Sequence, residues 1–191
     1  MNPGATEADL QKALATLKDG GIIAYPTDTI WGLGCDSSDC EAVKKLFGIK
    51  NRPSSKAMIS LVGSIDELRD RVGDIPEDIV KEIENSKRPI TVIFPHPNGI
   101  CDKLTAEDGS AAFRVVKSEF TARLCSLLDK PLVSTSANLS GEKSPKTFDE
   151  ISPELLKKVD YICETGRDFP AGLPSRIIKL EADGTTTLIR E

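Results

Sequence analysis

Short apolar runs alternate with amphipathic stretches along most of this chain, and that alternation limits its fold more than any other feature. Residues 22–25, 58–62, 90–94, 111–116, 132–135, 159–163, 176–180 and 186–190 are apolar or β-branched runs, bounded by turn residues and too short for core helices, so they read as strands. Helical spacing fills the gaps. Leu10, Ala13, Leu14 and Leu17 follow Thr6, which reads as an N-cap with Asp9 three residues on, and Gly20 ends the pattern. Ser38 or Asp39 opens a second helix carrying Val43, Leu46 and Phe47. Residues 64–71 and 76–84 follow, the latter with Pro76 at its start. Residues 119–128 place Phe120, Leu124, Leu127 and Leu128 on one face, and a last helix covers about 148–158. Strands and helices alternate early and strands crowd the end. The expected fold class is therefore α/β, with a twisted mixed sheet and flanking helices. With 191 residues, 39% of them hydrophobic, and no repeat or long linker, residues 1–191 read as a single domain.

Composition narrows the function. The formal net charge of -5 weighs against a dedicated nucleic-acid binder, whose affinity comes largely from phosphate neutralisation. A local cation cluster, Lys44, Lys45, Lys50, Arg52 and Lys56, still suits a small phosphate ligand. No run approaches the roughly 20 apolar residues of a membrane helix, and the N-terminus lacks a signal-peptide pattern, so a cytoplasmic protein is expected. The 5 cysteines are odd in number and irregularly spaced, which reads as reduced thiols. No metal site is expected, because a single His and no paired thiolates are present. That His, His96, sits between prolines and reads as surface structure, which argues against a His-based triad. Neither a P-loop nor a dinucleotide fingerprint occurs.

Three polar clusters remain. Tyr25-Pro26-Thr27-Asp28-Thr29-Ile30-Trp31-Gly32-Leu33-Gly34 follows the first strand and reads as a ligand-holding loop at a strand end. Lys50-Asn51-Arg52-Pro53 sets two cations one residue apart, suited to a polyphosphate or carboxylate, or else a solvated turn after a helix. Ser134-Thr135-Ser136-Ala137-Asn138-Leu139-Ser140-Gly141 leaves a strand with a run of hydroxyl and amide donors, suited to phosphate oxygens or to a simple Ser/Asn turn. Arg114, inside an apolar strand, requires either an anionic ligand or a structural salt bridge.

In this order the clusters resemble the YrdC/TsaC family of threonylcarbamoyl-adenylate synthases. The likeness rests on the Tyr25–Leu33 run, the Lys-x-Arg of Lys50 and Arg52, the Ser-x-Asn of Ser136 and Asn138, Pro174-Ser175-Arg176-Ile177-Ile178, and Leu188-Ile189-Arg190. The resemblance implies a YrdC-like fold with an open concave face. It also implies a nucleotidyl transfer in which L-threonine, bicarbonate and ATP, with Mg2+, give threonylcarbamoyl-AMP and pyrophosphate. A downstream transferase complex would then modify adenosine in transfer RNA, and transfer RNA or double-stranded RNA is a further candidate partner. By resemblance, Lys50 and Arg52 are catalytic and hold the phosphates together with Ser136, Asn138, Ser175 and Arg190. Thr27, Thr29, Trp31 and Arg114 would take the threonine and carbamate end. This chain departs from the family pattern with Trp31 for Tyr, Lys56-Ala57-Met58 for Pro-Leu, Val116 for Pro and Arg176 for Thr. The alternatives are a YciO-type paralogue, an RNA-binding module of the same fold, and a sugar-phosphate lyase, which would need acidic metal ligands and a catalytic His.

Overall fold

The computed structural model describes residues 3–51, 58–169 and 171–191. In chain order its elements are α1 (Pro3–Lys18), β1 (Ile23–Tyr25), β2 (Gly32–Gly34), α2 (Cys40–Lys50), β3 (Ile59–Val62), α3 (Ile65–Val72), α4 (Glu77–Asn85), β4 (Ile90–Phe94), β5 (Ala111–Val115), α5 (Glu119–Leu128), β6 (Leu132–Ser136), α6 (Pro153–Leu156), β7 (Tyr161–Ile162), β8 (Arg176–Leu180) and β9 (Thr186–Arg190). Among the described residues, nine strands share one sheet in the order β7-β1-β2-β6-β3-β5-β4-β8-β9. The pairs β1–β7, β3–β5 and β4–β8 are parallel and the other five antiparallel, so the sheet is mixed as expected.

Two apolar clusters hold the layers together. Leu10 and Leu17 of α1, Val43 and Leu46 of α2 and Leu124 of α5 pack with Leu61, Leu132 and Val133 of the sheet. Leu68, Ile79 and Ile83, from α3 and α4, pack with Val92, Phe94, Phe113 and Ile178. Each such fully buried aliphatic side chain contributes about 2 kcal/mol. On β5 the alternation then decides the site: Ala111 and Phe113 join the second cluster, and Ala112 and Arg114 face the other way.

Local chemistry sets most boundaries. Asp39, not Ser38, caps α2, accepting from the N–H groups of Glu41 and Ala42 at 2.9 and 3.1 Å. Ser64 caps α3 through the Glu67 N–H at 3.1 Å.

Several expectations need correction. The first helix begins at Pro3, so Thr6 lies inside it and is no cap. Leu127 is exposed rather than part of the buried face of α5. The helix expected over 148–158 is instead a 3-10 turn at Phe148–Glu150 followed by the short α6. Pro153 forces Ser152 out of helical geometry (ψ 125°), which breaks the run. The segment expected to be all loop after Tyr25 contains β2, because two glycines hid a strand from propensity reasoning. A Cβ on Gly34 would stand 2.2 Å from the Val133 carbonyl oxygen, so only glycine permits that approach. The cysteines are not all reduced thiols. Cys40, the first residue of α2, is disulfide-bonded to Cys101 across 61 positions, a separation that spacing arguments cannot reach. Cys35, Cys125 and Cys163 are free and buried.

Asp9 is a structural anchor rather than a capping partner. Its carboxylate is 3% exposed and accepts from the Tyr161 hydroxyl at 2.7 Å and from the Glu164 and Thr165 N–H groups at 3.0 and 2.8 Å. Burial pushes its pKa up, but these hydrogen bonds outweigh burial and leave it below the ordinary carboxylate value. A depressed folded pKa gives stability that is present above the unfolded value, about 3.9, and is lost as pH falls through the folded one. Asp9→Asn is therefore expected to lose about 2 kcal/mol at neutral pH. Urea unfolding of both proteins should show the gap narrowing near pH 3, whereas an equal gap at both pH values would exclude the carboxylate charge as the anchor.

Candidate functional site

The carboxyl end of β6 organises the site. This strand pairs with β2 on one side and β3 on the other, and continues into Ala137, whose N–H donates to the Trp31 carbonyl at 2.9 Å. Cross-strand register sets Ser134 beside Ile59, Ile59 beside Ala112 and Ala112 beside Ile93, a row running across four strands. That row forms the floor of a cavity of about 480 Å³. Such a volume suits a nucleotide-sized or amino-acid-sized ligand.

The walls carry donors and positive charge. Thr29, Ser134, Ser136, Ser144 and Ser175 bring hydroxyls, Arg114 and Arg190 bring guanidiniums, and Trp31, Met58, Ile177 and Ile189 bring apolar surface. Among the described lining residues there is no carboxylate, no His and no Cys. Such a cavity selects an anion, although the whole chain carries -5.

Arg114 realises the salt-bridge alternative and still lines the cavity. Its Nη2 lies 3.1 Å from Asp28 Oδ1, with both side chains buried, and its Nε has no hydrogen bond. The second Asp28 oxygen accepts the Lys117 N–H at 3.2 Å. Arg190 donates through Nη2 to the Ser175 carbonyl at 2.7 Å and to Ser175 Oγ at 3.2 Å, and that Oγ also accepts from Thr91 at 2.9 Å. Partial burial, then the charges of Arg88 and Arg114, hold the Arg190 pKa below its ordinary value. These cations face a shared region and repel one another, a cost that a bound anion would relieve.

The motif loop is preorganised. The Thr27 hydroxyl accepts from the Thr29 and Ile30 N–H groups at 3.0 and 3.2 Å and lies 2.9 Å from the Thr29 hydroxyl. Gly172 donates to the Thr29 carbonyl, and a Cβ on Gly172 would meet the Asp28 carbonyl at 2.6 Å, so the loop before β8 lies directly on the motif. Trp31 packs against Phe148 with ring centroids 4.8 Å apart and planes tilted by 57°, and the Arg167 guanidinium sits over the Phe148 ring, 4.7 Å from its centroid.

Thr29, Trp31, Arg114, Ser136, Ser175 and Arg190 thus line one cavity. Thr27, Lys50 and Asn138 stand behind that surface. Lys50 is 1% exposed, and its ammonium donates to the carbonyls of Ser136 and Asn138. The Asn138 amide donates to the Leu139 and Glu142 carbonyls at 2.9 and 2.8 Å, while its Oδ1 is buried without a partner. Arg52, with Pro53, Lys56 and Ala57, lies outside the described residues. Sequence reading missed Asp28 as the partner of Arg114, and the lining residues Ser144, Ile93 and Ala112. Period-two alternation around Arg114 marks Ala112, but no local signal marks Ser144.

The described lining residues offer hydroxyls but no His or carboxylate to activate one, and no thiol. The free thiols are buried, and burial pushes their pKa values up. His96 lies in the β4–β5 connection, away from the lining residues. The arrangement can bind, orient and neutralise an anionic reactant.

Comparison with known proteins agrees with this geometry. The Sua5, YciO and YrdC family model, described as telomere recombination, matches residues 15–191. The threonylcarbamoyl-AMP synthase of Xanthomonas euvesicatoria is 38% identical over 169 residues, covering 83% of this chain and 87% of that protein. The crystal structure of P. abyssi Sua5 complexed with L-threonine superposes with a TM-score of 0.83 at 26% identity over 95% of this chain. This chain spans about half of that longer protein, 53%. E. coli YciO shares the fold, with a TM-score of 0.79 at 24% identity, covering 97% and 89% of the two chains.

Lys50→Met keeps the aliphatic stem and deletes the ammonium. It is expected to cost about 2–3 kcal/mol by leaving carbonyls unsatisfied. Amide hydrogen exchange should quicken at Asn138 and Ser140. Unchanged exchange there, in a folded variant, would mean that the ammonium does not hold this loop.

Proposed function

The chain belongs to the Sua5, YciO and YrdC family, and on that premise we propose that it is a threonylcarbamoyl-AMP synthase acting as a nucleotidyltransferase. The observation that carries this reading is a cavity lined by two guanidiniums and several hydroxyls, with no carboxylate, His or Cys among its described residues. The substrates are L-threonine, bicarbonate and ATP, and magnesium arrives as part of the ATP substrate. Phosphate oxygens and water would coordinate that ion.

The chemistry follows from what the residues can do. Threonine's amine attacks the bicarbonate carbon and water leaves, giving a carbamate, and a carbamate oxygen then attacks the α-phosphorus of ATP in line while pyrophosphate leaves. Such a transfer needs alignment and charge stabilisation at the phosphate oxygens. Ser136, Ser175 and Arg190 donate to those oxygens, and Arg52 adds charge during transfer. Lys50 and Asn138 act from behind by holding the Ser136 loop, and Lys50 adds a positive field. Arg114, already neutralised in part by Asp28, takes the threonine carboxylate from the cavity wall. Thr27 shapes the loop on which Thr29 and Trp31 enclose the threonine and carbamate end.

We read residues 1–191 as one domain, since the strands share one sheet. The product is a reactive mixed anhydride, and a transferase complex acting on transfer RNA consumes it. Direct contact with transfer RNA or double-stranded RNA is a weaker part of the proposal, given the acidic balance. No helix among the described residues is long and apolar enough to cross a membrane. We assign the protein to the cytoplasm, where the Cys40–Cys101 bond would face a reducing pool.

Pyrophosphate release from ATP and magnesium tests the reading. Release should require both L-threonine and bicarbonate, and release indifferent to threonine would overturn it. Arg52→Ala is expected to fold normally and lose at least about tenfold in kcat, by analogy with loss of one charge-stabilising donor.

A further inference from the structure

The last strand does not keep a regular alternation. Ile177 faces Arg190 and Ile178 faces Leu188, so Ile189 is an extra residue, a β-bulge. The bulge lets the successive side chains Ile189 and Arg190 both line the cavity, which a regular strand would not allow. β9 is also a sheet edge, exposed throughout and paired with β8 alone. An edge strand with a bulge at its functional end needs another restraint there.

Charged side chains outside the cavity supply it. Arg176 Nη1 pairs with Glu82 Oε1 of α4, and Arg176 Nε lies 3.4 Å from Glu191 Oε1. The other Glu191 oxygen lies 3.7 Å from Arg88 Nη1, and Arg88 Nε donates to the Pro174 carbonyl at 2.7 Å. Glu191 follows Arg190 directly, and Pro174 precedes Ser175, which receives the Arg190 guanidinium. The network therefore reaches both chain segments that the Arg190–Ser175 contact joins, by hydrogen bonds at Pro174 and Glu82 and by ion pairs without a hydrogen bond at Glu191. None of Glu82, Arg88, Arg176 and Glu191 lines the cavity.

We propose that Arg176 and Glu191 are positioning residues for nucleotide binding: with Glu82 and Arg88 they latch the bulged end of β9 so that Arg190 is presented to the phosphates. The proposal rests on the reading of Arg190 as a phosphate-binding residue. The side chains of Arg176 and Glu82 are about one-third exposed and that of Glu191 about two-thirds, so the latch is modest in strength and weakened by salt.

The test uses Arg176→Gln, Glu191→Gln, Arg190→Ala and the double variant Arg176→Gln/Arg190→Ala. KM for ATP, KM for threonine and kcat are read at low and high salt, and ATP affinity is read separately by calorimetry. At low salt each latch variant should raise KM for ATP about three- to fivefold, the scale of a good exposed ion pair, with kcat and KM for threonine nearly unchanged. Salt should shrink the difference from wild type. In the Arg190→Ala background, Arg176→Gln should add nothing, because the latch acts through Arg190. Unchanged ATP affinity in both latch variants, or a further loss in the double variant, would overturn the proposal. If wild type binds ATP but releases no threonine-dependent pyrophosphate, the synthase reading fails and the calorimetric comparison still decides the latch. If wild type binds no ATP, both fall.

Discussion

A buried ammonium holds this architecture together at its functional end. Lys50 closes helix α2, and its side chain runs inward to the carbonyls that follow β6. A charge placed there without partners would be costly, so the loop carbonyls and the lysine require each other. The Ser140 N–H returns a bond to the Lys50 carbonyl at 3.0 Å, making the attachment reciprocal. The strand, the donor loop and the helix end are thereby tied together, and Ser136 is placed beside the floor formed by Ile59, Ala112 and Ile93. Preorganisation of this kind lowers the ordering cost of binding any ligand that meets this loop.

The charge of the cavity differs in sign from that of the whole chain. The overall charge of -5 repels polyanions in general, while the cavity gathers Arg114 and Arg190 with Arg88 nearby. Asp28 keeps this concentration tolerable by pairing with Arg114. That pair is held in turn by the Thr27 turn, the Lys117 N–H and the loop around Gly172, so backbone groups on three segments surround the Asp28 end of the pair.

The parts of this structure written in local chemistry were legible in the sequence. The apolar spacing of Leu10, Ala13, Leu14 and Leu17 marked a buried helix face, and all four are buried. Thr29, Trp31, Arg114, Ser136, Ser175 and Arg190 were singled out from separate regions, and the fold brings them to one cavity. What escaped was set by partners distant in the chain. β2 is a strand because of the space beside Val133, Asp9 is an anchor because of Tyr161 and Thr165, and the bulge at Ile189 exists only relative to β8. The Cys40–Cys101 bond belongs to the same group. Lys50 was found for its charge, but the structure gives that charge to the backbone of its own site.

The pairing of β1 with β7 has a consequence for how the chain is made. Ile23 and Ala24 sit beside Tyr161 and Ile162, and Asp9 waits for a hydroxyl and two amides from that same late region. During synthesis the first helix and strand emerge long before their partners, so that flank of the sheet cannot close until residues beyond 165 have left the ribosome. Pairing across such separations is slow and leaves apolar surface uncovered in the interval. Ile22 and Ile23 would remain open to solvent or to a chaperone for most of translation, and rare-codon placement ahead of β7 should matter more to soluble yield than pauses anywhere after it.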